Sequence, residues 1–143
     1  MNEDLWAYAE AMSKPESELL ARLNRDTHLH VMHPRMLSGH LQGAFLRTIS
    51  CWIRPRRILE IGTYTGYSTL CLADGLTEGG ELISVEHDPE RVEFAARYIA
   101  EAGKQQQIRL ITGEAGAVLK DLEGAFELCF LDADKRDYPA LYP

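Results

Sequence analysis

After Pro55 the chain repeats one pattern: a short apolar run, a turn rich in glycine or acid, then a helical stretch. Four runs have strand character: Arg57-Ile58-Leu59-Glu60-Ile61, Glu81-Leu82-Ile83-Ser84-Val85-Glu86, Ile108-Arg109-Leu110-Ile111-Thr112, and Phe126 to Leu131. Between them the spacing predicts helices over about 66–75, 89–102 and 115–122. Asp88-Pro89 caps and starts the middle one, and Gly103 closes it. Its inner face is expected to carry Val92, Ala95, Ala96, Ile99 and Ala102. Strands that alternate with helices form a parallel sheet, because each right-handed crossover returns the chain to the same end. The expected fold class is α/β, with a parallel sheet wound by right-handed crossovers. Ligands of such sheets sit beyond the carboxyl ends of the strands. The residues after each strand are therefore the candidate site.

Residues 1–54 read differently. Leu37, Leu41, Ala44, Phe45, Thr48, Ile49 and Trp52 recur at helical spacing, which predicts an amphipathic helix over about 35–53 with that stripe inward. Pro34 suits its start and Pro55 its exit. An earlier helix is expected from near Pro15, carrying Leu19, Leu20 and Leu23, and another over 4–12. The division is an N-terminal helical region, 1–54, and an α/β region, 55–143, of one domain with 143 residues in all. No stretch reaches the ~18 apolar residues of a membrane span. The acidic start, Met1-Asn2-Glu3-Asp4, lacks the features of a secretory signal, so a cytoplasmic protein is expected. Net charge is -7, from 15 basic and 22 acidic residues, which disfavours nucleic acid as a partner without excluding a local patch. Cys51, Cys71 and Cys129 are spaced too far apart for a zinc motif and are expected as buried apolar residues.

The first strand ends in Glu60-Ile61-Gly62-Thr63-Tyr64-Thr65-Gly66. Glycines there permit a tight turn and close backbone approach to a ligand. A dinucleotide loop needs glycine where Tyr64 and Tyr67 stand, and those rings would crowd a pyrophosphate. No phosphate-binding lysine motif follows. Glu86 closes the second strand, where a carboxylate can accept hydrogen bonds from both ribose hydroxyls. Glu60 is costly to bury without partners, and a cationic ligand or loop groups can supply them. A ribose with a positive group and no phosphate describes S-adenosyl-L-methionine. The plain alternatives are a surface Glu86 and a Glu60 that braces the loop.

The fourth strand ends in Asp132-Ala133-Asp134-Lys135. Asp132 and Asp134 are hard oxygen donors suited to Mg²⁺ or a similar divalent metal, though two carboxylates do not complete an octahedral site. A metal there can lower the pKa of a bound hydroxyl, and Lys135 can take its proton. The alternative is a polar turn with a surface ion pair. His28, His30 and His33 read as a polar connector rather than as metal ligands.

The runs Ile58 to Ser68, Ser84 to Asp88, and Phe130 to Lys135 with Tyr138 together resemble the metal-dependent O-methyltransferases of the catechol and caffeoyl-coenzyme A type. The resemblance extends from about Met36 to the C-terminus. It implies a Rossmann-like sheet of the S-adenosylmethionine methyltransferase type. By position, Glu60, Gly62, Tyr64 and Ser68 would line the methionine half of the cofactor, and Met36 would lie near the sulfonium. Ser38 would bind the carboxylate, Glu86 the ribose, and His87, Glu114 and Ala115 the adenine. Asp132 would be the first metal ligand and a cofactor neighbour, and Lys135 the general base. Relatives supply an Asp-Asn metal pair from the next strand end, and their remaining strands follow it. Their absence before Pro143 predicts a truncated or partial chain whose fourth strand has an unpaired edge. The resemblance also implies a small hydroxylated acceptor and a homodimer. Methylation of hydroxylated tRNA bases, a dinucleotide-binding module and a non-catalytic module remain the alternatives.

Overall fold

The computed structural model describes residues 3–132. Three helices come first: α1 (Glu3–Met12), α2 (Glu18–His30) and α3 (Gly39–Ile53). Then follow β1 (Arg57–Ile61), α4 (Tyr67–Ala73), β2 (Glu81–Glu86), α5 (Pro89–Glu101), β3 (Ile108–Thr112), α6 (Ala115–Asp121) and β4 (Leu128–Leu131). The four strands form one parallel sheet in the order β3-β2-β1-β4. Arg57 pairs with Glu81 and Ile58 with Leu128, so the carboxyl ends of β1, β2 and β4 lie side by side.

Side chains alternate across the sheet. Ile58, Leu82 and Ile108 point to one face and pack with α2, α3, α4 and α5. Leu59, Ile61, Ile83 and Val85 point to the other and pack with Ala115, Val118 and Leu119 of α6. This gives three layers, with the N-terminal helices added outside α4.

The helix foreseen over 35–53 is interrupted. A 3₁₀ turn covers Pro34–Met36, Leu37 is extended, and Gly39 at φ 70° starts α3. The stripe expected to face inward does so only in part: Leu37 packs against the core, and Leu41, Ala44 and Ile49 are half-buried. Phe45 is 64% exposed and Trp52 88% exposed, whereas Gly43, Leu46 and Ser50 are buried. The cause is backbone proximity between α3 and α4, which only small residues allow. A Cβ at Gly43 would lie 2.5 Å from the Tyr67 ring, and one at Gly75, just past α4, would lie 2.2 Å from the Ser50 carbonyl carbon. Gly75→Ala is therefore expected to cost about 3 kcal/mol of stability in urea unfolding, at the upper end of overpacking penalties. An unchanged midpoint would mean that the two helices do not approach this closely.

The inner face of α5 keeps Ala95, Ile99 and Ala102 as expected but takes in two aromatic residues in place of Ala96. Phe94, Ala95, Tyr98 and Ile99 are buried, while Ala96 is exposed. The aromatic rings stack at 5.5 Å and fill the space beside α2, and the Tyr98 hydroxyl donates to Asp26. Cys71 is buried, but Cys51 and Cys129 are exposed, against expectation. Cys51 lies on the outer side of α3. Cys129 lies on β4, which is half-buried and pairs with β1 alone among the described residues. A strand with one partner cannot cover both of its faces and its edge.

Candidate ligand-binding site

The loop after β1 takes an irregular path because three of its residues are left-handed: Gly62 (φ 102°), Tyr64 (φ 51°) and Gly66 (φ 89°). Tyr64 is the costly one, since a side chain disfavours that region. Its conformation is held at both ends. The Tyr64 N–H donates to Glu86 Oε2 at 2.8 Å, and its hydroxyl donates to the Met32 and His33 carbonyls, each at 3.1 Å. The Gly62 and Thr63 amides donate to the Val85 carbonyl, which seats the loop on the end of β2. Thr27 of α2, fully buried, donates to Thr65 Oγ1 at 3.1 Å and fastens the loop from the helical side.

Glu86 is 4% exposed, although its backbone closes β2 at the mouth of the sheet. Besides Tyr64, its carboxylate accepts from the His87 N–H (3.1 Å) and the Asp88 N–H (3.2 Å). A buried carboxylate satisfied by backbone amides is rigidly aimed.

A cavity of about 440 Å³ opens at this end of the sheet. Eight of the residues singled out from sequence line it: Met36, Gly62, Tyr64, Glu86, His87, Glu114, Ala115 and Asp132. They come from the 3₁₀ turn, the β1 loop, the ends of β2 and β4, and the start of α6. The acidic side chains Glu86, Glu114 and Asp132 outnumber the single lining arginine, Arg91, which suits a cationic ligand.

Three expected contacts are not in that lining. Ser38 sits at the start of α3. Glu60 and Ser68 lie behind the loop. Glu60 is fully buried and accepts from the hydroxyls of Ser68 (2.5 Å), Ser84 (2.6 Å) and Thr69. Hydroxyls of α4 and β2 satisfy it. Burial pushes its carboxyl up to about 7, against the pull of those three hydroxyls. In the unfolded chain it titrates near 4.5. The folded protein thus holds this proton more tightly, and the stability gained is present below about 4.5 and lost as pH rises to about 7. Raising the pH from 5 to 8 is expected to cost about 3 kcal/mol through this group. Glu60→Gln should flatten that dependence in urea unfolding measured at both pH values.

Asp132 is anchored by its N–H to the Ile61 carbonyl at 2.9 Å, and partial burial raises its pKa. It is one hard donor. Among the described residues no group of three His, Cys, Asp or Glu can hold a metal. Asp134, Lys135 and Tyr138 lie outside the described residues. His28 and His30 stand on the last turn of α2, each with Nδ1 on the helix carbonyl four residues back, and His33 adopts αL geometry.

Arg91 is the charged lining residue to which the sequence pattern does not point. An arginine on the outer half of an amphipathic helix carries no signal of its own. Its clue was Asp88 one turn earlier, the cap of α5, with which it pairs.

The profile of a family described as O-methyltransferase matches residues 10–143. A catechol O-methyltransferase of Niastella koreensis is 41% identical over 101 residues, covering 68% of this chain and 46% of that protein. A caffeoyl-CoA O-methyltransferase of Stellaria longipes is 32% identical over 132 residues, covering 86% of this chain and 53% of its own length. Among solved structures, a Podospora anserina methyltransferase bound to SAH superposes with a TM-score of 0.90 at 31% identity, covering 96% of this chain and 59% of that one. An O-methyltransferase from Streptomyces achromogenes in complex with SAM gives 0.89 at 29% identity, covering 99% and 67%. The chain spans about half the length of the curated relatives it matches. Among the described residues no helix is long and apolar enough to cross a membrane.

Proposed function

Because the chain belongs to the O-methyltransferase family, we propose that its cavity binds S-adenosyl-L-methionine and that the protein transfers the methyl group to a hydroxyl of a phenolic or other small acceptor. The observation that carries this reading is Glu86. It is a buried carboxylate, aimed by three backbone amides, at the mouth of the cavity. A ribose diol is the ligand group that matches such an acceptor. His87, Glu114 and Ala115 stand on the adenine side in this reading, and Gly62, Tyr64 and Met36 on the sulfonium side. Ser38 offers backbone groups to the carboxylate. Glu60 and Ser68 act behind the loop, holding its shape.

A divalent metal belongs to the same reading, with Asp132 as its first ligand. Asp132 alone does not make a site, and among the described residues no further carboxylate, histidine or cysteine completes one with it. When bound, a metal would supply charge to an acceptor hydroxyl. The chain's own contribution is to orient donor and acceptor in line. Lys135 is read as the group that takes the acceptor's proton. A homodimer fits the exposed Phe45 and Trp52 of α3, and light scattering reads it.

Calorimetric titration of the purified protein with SAH tests the core of this reading. Saturable binding with one site per chain is expected. No binding of SAH or S-adenosyl-L-methionine would overturn it.

A further inference from the structure

We infer that Arg91 is a positioning residue, which acts through Glu86 to hold the carboxylate that receives the cofactor's ribose. This rests on the cofactor reading above and goes beyond it, because Arg91 is none of the residues that reading assigns.

Arg91 occupies the first turn of α5, where the helix dipole disfavours a cation. A residue placed against a local rule points to a gain elsewhere. That gain is visible in its contacts. Nε lies 3.3 Å from Asp88 Oδ2, and Nη1 lies 3.7 Å from Glu86 Oε1. The guanidinium carbon lies 5.1 Å from the centre of the Tyr64 ring. Its side chain is 19% exposed, so these are sheltered interactions rather than a solvated surface pair. One side chain thus joins the ribose carboxylate, the cap of α5 and the strained tyrosine of the β1 loop. It also divides the cofactor cavity from a second cavity of about 420 Å³ lined by His30, His33 and Phe94.

The amides on Glu86 supply direction but no full counter-charge. Arg91 supplies that charge from the side of Oε1, the oxygen that also accepts the His87 and Asp88 amides and lies 3.1 Å from His87 Nδ1. Among the described residues Oε2 accepts from the Tyr64 N–H alone, and it is the oxygen better placed to take a further donor. Arg91 therefore keeps the carboxylate turned so that Oε2 faces the ligand. Lysine cannot replace it fully, because a single ammonium lacks the planar fork that meets two carboxylates and a ring together.

The test is the Kd of SAH for the wild-type protein, Arg91→Ala, Arg91→Lys, Glu86→Gln, and the Arg91→Ala/Glu86→Gln pair. Arg91→Ala is expected to weaken SAH about tenfold, and Arg91→Lys less. In the Glu86→Gln background the same change should cost under about twofold, because the group it acts through is gone. A 2′-deoxy analogue of SAH should likewise show a smaller penalty from Arg91→Ala, a readout that a merely structural role would not move. If Arg91→Ala stays within about twofold of wild type, or costs the same in both backgrounds, the inference is wrong. Should the alanine variant fail to fold, Arg91→Lys with the two ligands decides it by the same comparison. A wild-type protein that binds no SAH would overturn the cofactor reading as well, so the two failures are distinguishable.

Discussion

Replacing Glu86 by alanine should weaken SAH binding by about 100- to 1,000-fold and also destabilise the protein by about 2 kcal/mol. The two effects have separate causes. A ribose diol donating to a carboxylate makes charge-assisted hydrogen bonds, each worth about 1.5–3 kcal/mol, and alanine removes the acceptor outright. The stability loss comes from the amides of Tyr64, His87 and Asp88, which lose their shared acceptor. Water entering from the cavity replaces part of that bonding, which keeps the cost near that of one orphaned donor. Tyr64 makes the matter worse, since its left-handed backbone relies on the lost bond.

Glu86→Gln separates the two effects. The amide keeps the shape and one acceptor oxygen, so stability should fall less. Its NH₂ must face either backbone donors or the ribose hydroxyls, and the negative charge is gone, so binding should fall nearly as far. Unfolding with and without ligand reads both at once. At a ligand concentration of 100 times the wild-type Kd, wild type should gain about 2.7 kcal/mol, and the glutamine variant a small fraction of that. A glutamine variant that binds SAH within threefold of wild type would remove Glu86 from the site.

The strands were readable because each is short, apolar and bounded by a turn signal. β1, β2 and β3 fall where the pattern places them, and with them the line of residues at their carboxyl ends. That is why Gly62, Glu86, Glu114 and Asp132, far apart in sequence, could be expected in one cavity. Position after a strand, rather than residue type, was the usable signal. That signal does not reach Glu60, which precedes the strand end and points to the face of Ile58 and Leu82. Its partners are hydroxyls of Ser68, Thr69 and Ser84, and three serines and threonines on two elements announce nothing when read one at a time.

Helix faces were less legible than strands. On α3 the apolar stripe is real, but the packed side is the one with Gly43 and Ser50, because close approach to α4 selects size over hydrophobicity. On α5 the alanines fit the period equally well on neighbouring registers, and Phe94 and Tyr98 set which register is buried. Arg91 was hidden for a related reason. Its worth lies in contacts with residues three and five positions back and with a ring across the loop, and no periodicity marks that.

Lys135→Ala is expected to lower the methyl-transfer turnover by about 10²- to 10⁴-fold, the usual contribution of a positioned general base. Lys135 lies outside the described residues, three positions after Asp132, which follows β4 and lines the proposed cofactor cavity. An alkylammonium cannot accept a proton, so a lysine base works only in its neutral form. Turnover should therefore rise with pH until the lysine has lost its proton. The decisive variant is Lys135→Arg. Arginine keeps the positive charge and can still hold an anionic oxygen, but it does not deprotonate at any working pH. If Lys135 removes the acceptor's proton, arginine should be as inactive as alanine. If instead its charge stabilises the acceptor oxygen, arginine should retain much of the activity, and the base assignment fails. SAH binding by both variants should stay within about twofold of wild type, because a base of this kind would act on the acceptor and not on the cofactor. Loss of SAH binding in both would shift Lys135 from chemistry to the cofactor site.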